Sequence, residues 1–369
     1  MQERKEVVVV SSIVELPKII SLLGPEEKKV FDRLFLVQES TGKLVLPKEM
    51  VPWADKSFGD HHSVEEQRII KVFNRISFES ALFNELRAKR PISATTDEDS
   101  AKTIKESLGD PFCKPLTGTP VDTFGRVRGW RCISASNVAK YDALHGLIVF
   151  KQHNPLVFTE KDLANYLSTA MKWFDKANKS NKNAIYPFLL WNCLWKAGAS
   201  IIHGHMQTAL GEGVHYGGAE YLNKIRKEYA ERYNSDYFRD LFRVHVSVGL
   251  GLEWKKLKIF TSITPKKEKE ITIIGEKFNK KFMSAIFRAA DCLVKDLGVN
   301  SFNMGIIYPP MDKNLVRGAW KGFPVIARIV DRGKLSSKTS DFGGVEMYAG
   351  ASVIESDPYK VFEKLKLHF

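Results

Sequence analysis

The segment His203-Gly204-His205-Met206-Gln207 constrains this chain more than any other. It follows a turn of small residues, Ala197-Gly198-Ala199-Ser200, and two isoleucines. Side chains alternate faces along an extended strand. A strand over Ile201 to Leu210 therefore sends His203, His205 and Gln207 to one face. Two imidazoles and an amide inside an apolar run are costly to bury unless they are paired or put to use. An imidazole can attack a phosphorus atom, bind a metal or shuttle a proton, so this strand marks a place of chemistry.

The chain has 369 residues, enough for two domains at roughly 150 residues each. Its hydrophobic content of 44% and charged content of 27% are those of a soluble globular protein. No run of about 18 apolar residues occurs, so no membrane span is expected. The apolar stretch Val7 to Val10 is short and is followed by a charged, patterned segment, which reads as a strand and not as a signal peptide. Cys113, Cys132, Cys193 and Cys292 are scattered, which gives no disulfide framework and a reducing cytoplasm as the expected compartment. The net charge of +13 favours anionic partners: nucleic acid, anionic lipid or phosphorylated small molecules. The lysines are dispersed and no nucleic-acid-binding motif is present, so nucleic acid is not the expected partner.

Residues 1 to about 75 alternate short strand-like and helix-like pieces, with a short helix from Glu26 to Phe35 after Gly24-Pro25. The polar stretch 92–105 reads as a mobile loop. Leu147 to Phe150 reads as a strand, and Thr159 caps a helix running to about Lys176. Phe188 to Trp191 is a second strand and Ile201 to Leu210 a third. A weak internal repeat follows at an offset of 111: 147–156 resembles 258–267, and Asn192 has a counterpart in Asn303. The last strand of the second copy, Phe323 to Ile329, carries no histidine. Duplication with one catalytic half and one structural, substrate-binding half is the expectation.

His205 is the candidate nucleophile. A neutral imidazole can attack an α-phosphorus and hold a nucleotidyl group, which divides one difficult displacement into two easier ones. Gly204 lets the backbone lie close to a phosphate. Gln207 can donate an amide N–H to a phosphoryl oxygen without acting as a proton source, which favours transfer to a second phosphate over hydrolysis. His203 either orients the site or binds metal. With Cys113, His153 and Asp110 it makes a reasonable Zn²⁺ ligand set. Arg87 and Arg90, in the run Arg87-Ala88-Lys89-Arg90-Pro91, can fork phosphate oxygens. Asn192 and Ser200 can donate to phosphate oxygens, Asn137 can read a ribose hydroxyl, and Glu346 can accept hydrogen bonds from sugar hydroxyls. The other histidines, His145 among them, read as structural or exposed.

These residues resemble the galactose-1-phosphate uridylyltransferase branch of the histidine-triad superfamily. That family carries His-Pro-His-x-Gln, with Ser three positions and Asn eleven positions before the first His; Ser200 and Asn192 fit. Residues 87–91 match its phosphate-binding segment. Asp110 to Cys113 falls where the family has Cys-x-x-Cys, His153 where it has the third zinc ligand, and Gly344-Val345-Glu346 where it has a sugar-contacting loop. The resemblance spans about residues 80 to 360. Gly204 replaces the family's proline, Asp110 replaces its first zinc cysteine, and the second half lacks a His-x-His.

The resemblance implies an α+β fold of two histidine-triad-like domains, duplicated, each a mostly antiparallel sheet with packed helices, the second degenerate. It implies an N-terminal extension over 1–75, a catalytic domain over 76–215, and a second domain without the catalytic histidine over 216–369. It implies a nucleotidyltransferase that passes a nucleoside monophosphate from a nucleotide sugar to a sugar 1-phosphate through His205, with one structural zinc, usually as a homodimer. Related members are sugar-nucleotide or diadenosine polyphosphate phosphorylases, with inorganic phosphate as the acceptor. A non-catalytic nucleotide or nucleic-acid binding protein is the reading from another class.

Overall fold

The computed structural model describes residues 12–89, 100–312, 314 and 316–369. Arg90, the valine run at 7–10 and the 92–99 part of the polar stretch lie outside the described residues. Two sheets carry the fold. The strands of the N-terminal region are β1 (Phe35–Lys43), β2 (Glu66–Asn74) and β3 (Ser80–Phe83). The large sheet follows with β4 (Cys132–Ser136), β5 (Leu144–Phe150), β6 (Ala184–Cys193), β7 (His205–Glu212), β8 (Gly251–Trp254), β9 (Leu257–Thr261), β10 (Ile271–Gly275), β11 (Phe302–Ile307) and β12 (Val325–Asp331). The last strand, β13 (Ala351–Ile354), returns to pair with β3 in parallel, and every other pairing is antiparallel. The class is α+β, as expected.

The nine-stranded sheet runs β4-β5-β7-β6-β11-β12-β10-β9-β8. Read outward from the β6–β11 pair, one side is β6-β7-β5-β4 and the other is β11-β12-β10-β9. Each half has two strands, a helix and two more strands, in mirrored order. The helices are Glu160–Ser180 and Lys280–Asp291. This is the expected duplication. The proposed match of 147–156 to 258–267 fails, because β5 mirrors β10, while 258–261 lies in β9, the mirror of β4. Buried apolar strands look alike, and that likeness displaced the alignment by one strand.

Thr159 caps the first helix in a reciprocal capping box with Asp162. The buried stripe of this helix includes Leu163, Tyr166, Ala170, Trp173 and Phe174, a helical spacing that lays one face on the sheet. Tyr166 stacks on Phe150 at 3.8 Å, Phe150 meets Trp191, and Trp191 meets Phe302 of the other half. The two helices touch through Ser168 with Met283, and Phe158, just before the first of them, meets Phe287 of the second. One apolar layer thus spans both halves.

The other face of the sheet carries a single register from edge to edge. Ala135, Leu147, Gln207, Leu190, Gly305, Arg328, Thr272, Phe260 and Gly251 stand opposite one another in turn across the strands. Over the second half this face is covered: the ring of His245, on the helix Tyr237–Ser247, lies 4.2 Å from that of Phe260. Arg328 pairs there with Glu270 and with Glu79 of the small sheet's β2–β3 turn, each at 2.7 Å. Over the first half the same face carries His205 and Gln207.

Two local expectations change. The stretch 100–105 is helical, in Ser100–Glu106, with Ile104 buried. The strand expected from Ile201 begins at His205, because the chain before it is bonded elsewhere: Gly204 N–H donates to the His153 carbonyl and Phe150 N–H to the Gly204 carbonyl, both at 2.9 Å. Among the described residues no helix is long and apolar enough to cross a membrane.

A Cβ on Gly204 would lie 2.5 Å from the Phe150 ring and 3.1 Å from the Gln152 carbonyl oxygen. Gly204→Ala should therefore cost about 1–3 kcal/mol of unfolding free energy. Urea denaturation measures it, and an unchanged midpoint would show that Phe150 yields freely.

His215 and His245 are buried, and burial pushes both pKa values down to about 4. Both rings are held neutral. His245 Nδ1–H donates to the Leu241 carbonyl at 2.8 Å, and its Nε2 accepts from Ile263 N–H. In the unfolded chain a histidine titrates at about 6.5. As pH falls from about 6.5 to about 4 the unfolded state takes up these protons first. Stability then drops through that window, by up to about 3 kcal/mol per histidine. Denaturation curves at intervals across the window should show a shallower pH slope for His245→Gln than for the wild type; equal slopes would contradict the assignment.

Candidate active site

His205 opens β7, opposite Val149 of β5. Its Nδ1–H donates to the His203 carbonyl at 2.8 Å. A carbonyl only accepts, so the proton sits on Nδ1 and the Nε2 lone pair is free. Burial pushes the His205 pKa below the ordinary histidine value and outweighs that hydrogen bond. The ring is therefore neutral at neutral pH, with a nucleophilic nitrogen. Phe112 packs edge-on against it, centroids 5.1 Å apart, and also against His203 at 6.1 Å.

Gln207 lies two residues along the same strand, on the same face. Its Oε1 is 3.0 Å from His145 Nε2. Tyr141 N–H donates to His145 Nδ1 at 3.4 Å, which places the ring proton on Nε2 and makes Gln207 Oε1 its acceptor. The Gln207 amide is thereby turned with its N–H₂ away from His145. Asn137 Nδ2 also lies 3.1 Å from His145 Nε2, and Asn137 Oδ1 accepts from Ala139 N–H. Burial pushes the His145 pKa down, so this ring too is neutral. The sequence reading set His145 aside as structural or exposed. The missed signal was parity: positions 145, 147 and 149 alternate onto the face that receives Gln207 and His205.

The four expected metal ligands come together. His153 Nδ1 and His203 Nδ1 are 3.1 Å apart, and each is 3.5 Å from Cys113 Sγ. Asp110 oxygens lie 3.4 Å from His203 Nδ1 and 3.8 Å from His153 Nδ1. Both rings commit their far nitrogens to carbonyls: His203 Nε2 to Phe150 and His153 Nε2 to Ile104, at 2.8 and 2.9 Å. Those nitrogens carry the protons, so two bare Nδ1 lone pairs face each other beside a thiol. Asp110 Oδ1 accepts from Phe112 N–H and Cys113 N–H, while its buried Oδ2 has no hydrogen-bond partner among the described residues. Two lone pairs, a thiol and an orphaned carboxylate oxygen at these separations suit a tetrahedral cation such as Zn²⁺.

Of the other candidates, Asn192 lies on the site face of β6. Leu190 stands opposite Gln207, so two residues along each strand bring Asn192 level with His205. Ser200 is exposed on the turn after Gly198. No hydrogen bond or ion pair among the described residues ties Arg87 to His205, and Arg87 Nε is buried without a partner. Glu346 pairs with Lys267, between β9 and β10, at 3.3 Å and accepts from Gly343 N–H of its own loop at 2.9 Å, so its carboxylate already has partners.

No protein-family model matches the chain, and no curated protein matches it by sequence. Solved structures do match. An ADP-glucose phosphorylase from Arabidopsis thaliana with bound ADP-glucose superposes with a TM-score of 0.59 at 15% identity, over 79% of this chain and 96% of that one. A galt-like protein from the same plant gives 0.56 at 15%, over 70% and 92%. A uridylyltransferase mutant gives 0.53 at 16%, also over 70% and 92%. The chain thus has the fold of these proteins, two mirrored halves joined in one sheet, as the resemblance implied.

Proposed function

We propose that the protein is a nucleotidyltransferase that moves a nucleoside monophosphate from a nucleoside-diphosphate sugar to a sugar 1-phosphate through His205. The observation that carries this is the neutral His205 ring, with Nε2 free, on the face where the Gln207 amide is fixed by His145. His205 Nε2 attacks the α-phosphorus, the bond from that phosphorus to the bridging oxygen breaks, and the sugar 1-phosphate leaves with the electron pair. The ring becomes positive as the P–N bond forms, and the His203 carbonyl at Nδ1–H stabilises that charge. An oxygen of the incoming phosphate then attacks the same phosphorus, the P–N bond breaks, and His205 returns to its neutral form. Gln207 donates to the phosphoryl oxygens throughout and supplies no proton, which disfavours water as the acceptor. In this reading the catalytic half runs over 76–215, and 216–369 is the supporting half.

In the same reading Cys113, His153, His203 and Asp110 hold one Zn²⁺. Such an ion ties the loop bearing Cys113 to the segment entering β7 and stays out of the chemical steps.

Incubation with UDP-glucose or ADP-glucose labelled in the nucleotide should leave an acid-labile label on the wild type and none on His205→Gly; a labelled H205G protein would remove His205 as the nucleophile. Gln207→Ala should slow labelling roughly 100-fold. Release of the label by galactose or glucose 1-phosphate marks a transferase, and release by inorganic phosphate alone marks a phosphorylase. Metal analysis of purified protein should find about one zinc per chain and a loss of it in Cys113→Ala and His153→Ala; metal-free wild type with full stability would overturn the zinc assignment.

A further inference from the structure

The second half carries no histidine in β12, yet it reaches the site through the β6–β11 pair. Asn192 and Asn303 stand directly opposite each other there. Asn303 Nδ2 donates to Asn192 Oδ1 at 2.7 Å and to the Ala197 carbonyl at 2.9 Å. Both its hydrogens are therefore spent. Asn303 Oδ1 accepts from Arg332 Nη1. Arg332 in turn forks onto Asp341, with Nε to Oδ2 at 2.6 Å and Nη2 to Oδ1 at 2.8 Å. Every bond in this chain has one direction. The guanidinium can only donate, which makes the Asn303 oxygen the acceptor, which makes the Asn303 nitrogen the donor, which makes the Asn192 oxygen the next acceptor.

The consequence falls on the far end of Asn192. Its Oδ1 is fixed toward the second half, so its N–H₂ is left on the site side, beside Gly198 of the turn that leads to Ser200. A flipped Asn192 would set its nitrogen against the Asn303 nitrogen, donor against donor. The Asn303 bond to Ala197 holds the same turn, and Lys196 Nζ, one residue earlier, donates to the Thr339 carbonyl at 2.5 Å. Asp341 and Thr339 both lie in the segment between β12 and β13.

We infer that Asn303, Arg332 and Asp341 of the second half are positioning residues for the first, a one-way hydrogen-bond relay that turns the Asn192 amide N–H₂ toward the phosphoryl oxygens at His205. It rests on the nucleotidyl transfer proposed above, and it gives the half without a nucleophile a defined task. The charge of Arg332, neutralised by Asp341 on one side, polarises two amides in series. Such chains strengthen each bond and resist rotation of any member.

Asn303→Asp is the informative change. The carboxylate keeps the size and the Arg332 contact but cannot donate, so it pulls the Asn192 nitrogen toward itself and reverses that amide. The rate of labelling by UDP-glucose or ADP-glucose at saturating substrate should fall roughly tenfold to a hundredfold, with a melting temperature close to the wild type's. Asn192→Ala alone should lose a similar factor, and the double variant Asn192→Ala with Asn303→Asp should be no slower than Asn192→Ala. A part that merely held the fold would instead give losses that multiply. A folded N303D protein that labels at the wild-type rate, or a double variant whose losses multiply, overturns the relay while leaving the nucleotidyl-histidine in place. A wild type that takes no label overturns the transfer reading, and the relay's task with it.

Discussion

Asn192 and Asn303 face each other across the β6–β11 pair, and the placement of the site depends on that register. A slip of one residue would turn every side chain on a strand to the other face. A slip of β6 would put Trp191, buried under the helices, onto the open face and send Asn192 into the apolar layer. The aromatic contact between Trp191 and Phe302 at 4.9 Å locks the pair from one side, and the Asn192–Asn303 hydrogen bond locks it from the other. The same register continues outward through Leu190 to Gln207 and Leu147, and through Gly305 to Arg328 and Thr272. Duplication thus yields more than two similar halves: it produces one sheet whose central pair aligns the functional face of both.

The two halves then use that face differently. Over the first half the row carries Gln207, and the level beside it carries His205. Over the second half Arg328 occupies the row, with Glu79 and Glu270 as its partners. A partly buried arginine between two carboxylates is costly if either partner is lost, and this cluster ties the small sheet to the large one through the β2–β3 turn. The helix bearing His245 closes over the same region. One half thus carries paired charges around a covered cavity lined by Glu79, His245, Phe260, Glu270 and Arg328, while its twin presents the neutral imidazole of His205. A cation in the position of Arg328 needs anionic neighbours to neutralise it. In the proposed reaction the site around His205 holds an anion.

Much of the candidate site was legible because strand periodicity is short range. Two histidines and a glutamine at alternate positions, a small-residue turn before them and a capped helix upstream all read directly from neighbours in sequence. The Cys113, His153 and His203 cluster was legible from residue type. Three things were not. The start of β7 depends on hydrogen bonds from Gly204 to the loop after β5, which are contacts across about 50 positions of sequence. His145 looked like an isolated histidine because its partner, Gln207, lies on a strand that pairs only after folding. The helix over Ser100–Glu106 sits in a stretch whose polar composition hides the one buried anchor, Ile104. In each case the deciding partner is far away in the chain, and a local pattern carries no trace of it.

Gly204 joins the candidate metal-ligand cluster to the proposed nucleophile, His205. The His203 ring belongs to the cluster, while the His203 carbonyl accepts the Nδ1–H of His205. Whatever holds the His203 side chain therefore also sets the direction of the carbonyl that fixes the His205 tautomer. Phe112, between Asp110 and Cys113, touches both rings, so the loop that bears two of the candidate donors also walls the His205 ring. A proline at position 204 would lack the N–H that binds the His153 carbonyl, and any Cβ there would strike Phe150. Glycine is thus required by the close approach of β5, and the departure from His-Pro-His has a packing cause. One residue, Gly204, separates the His203 of that cluster from His205, which is why an orphaned oxygen on Asp110 bears on how the His205 ring is held.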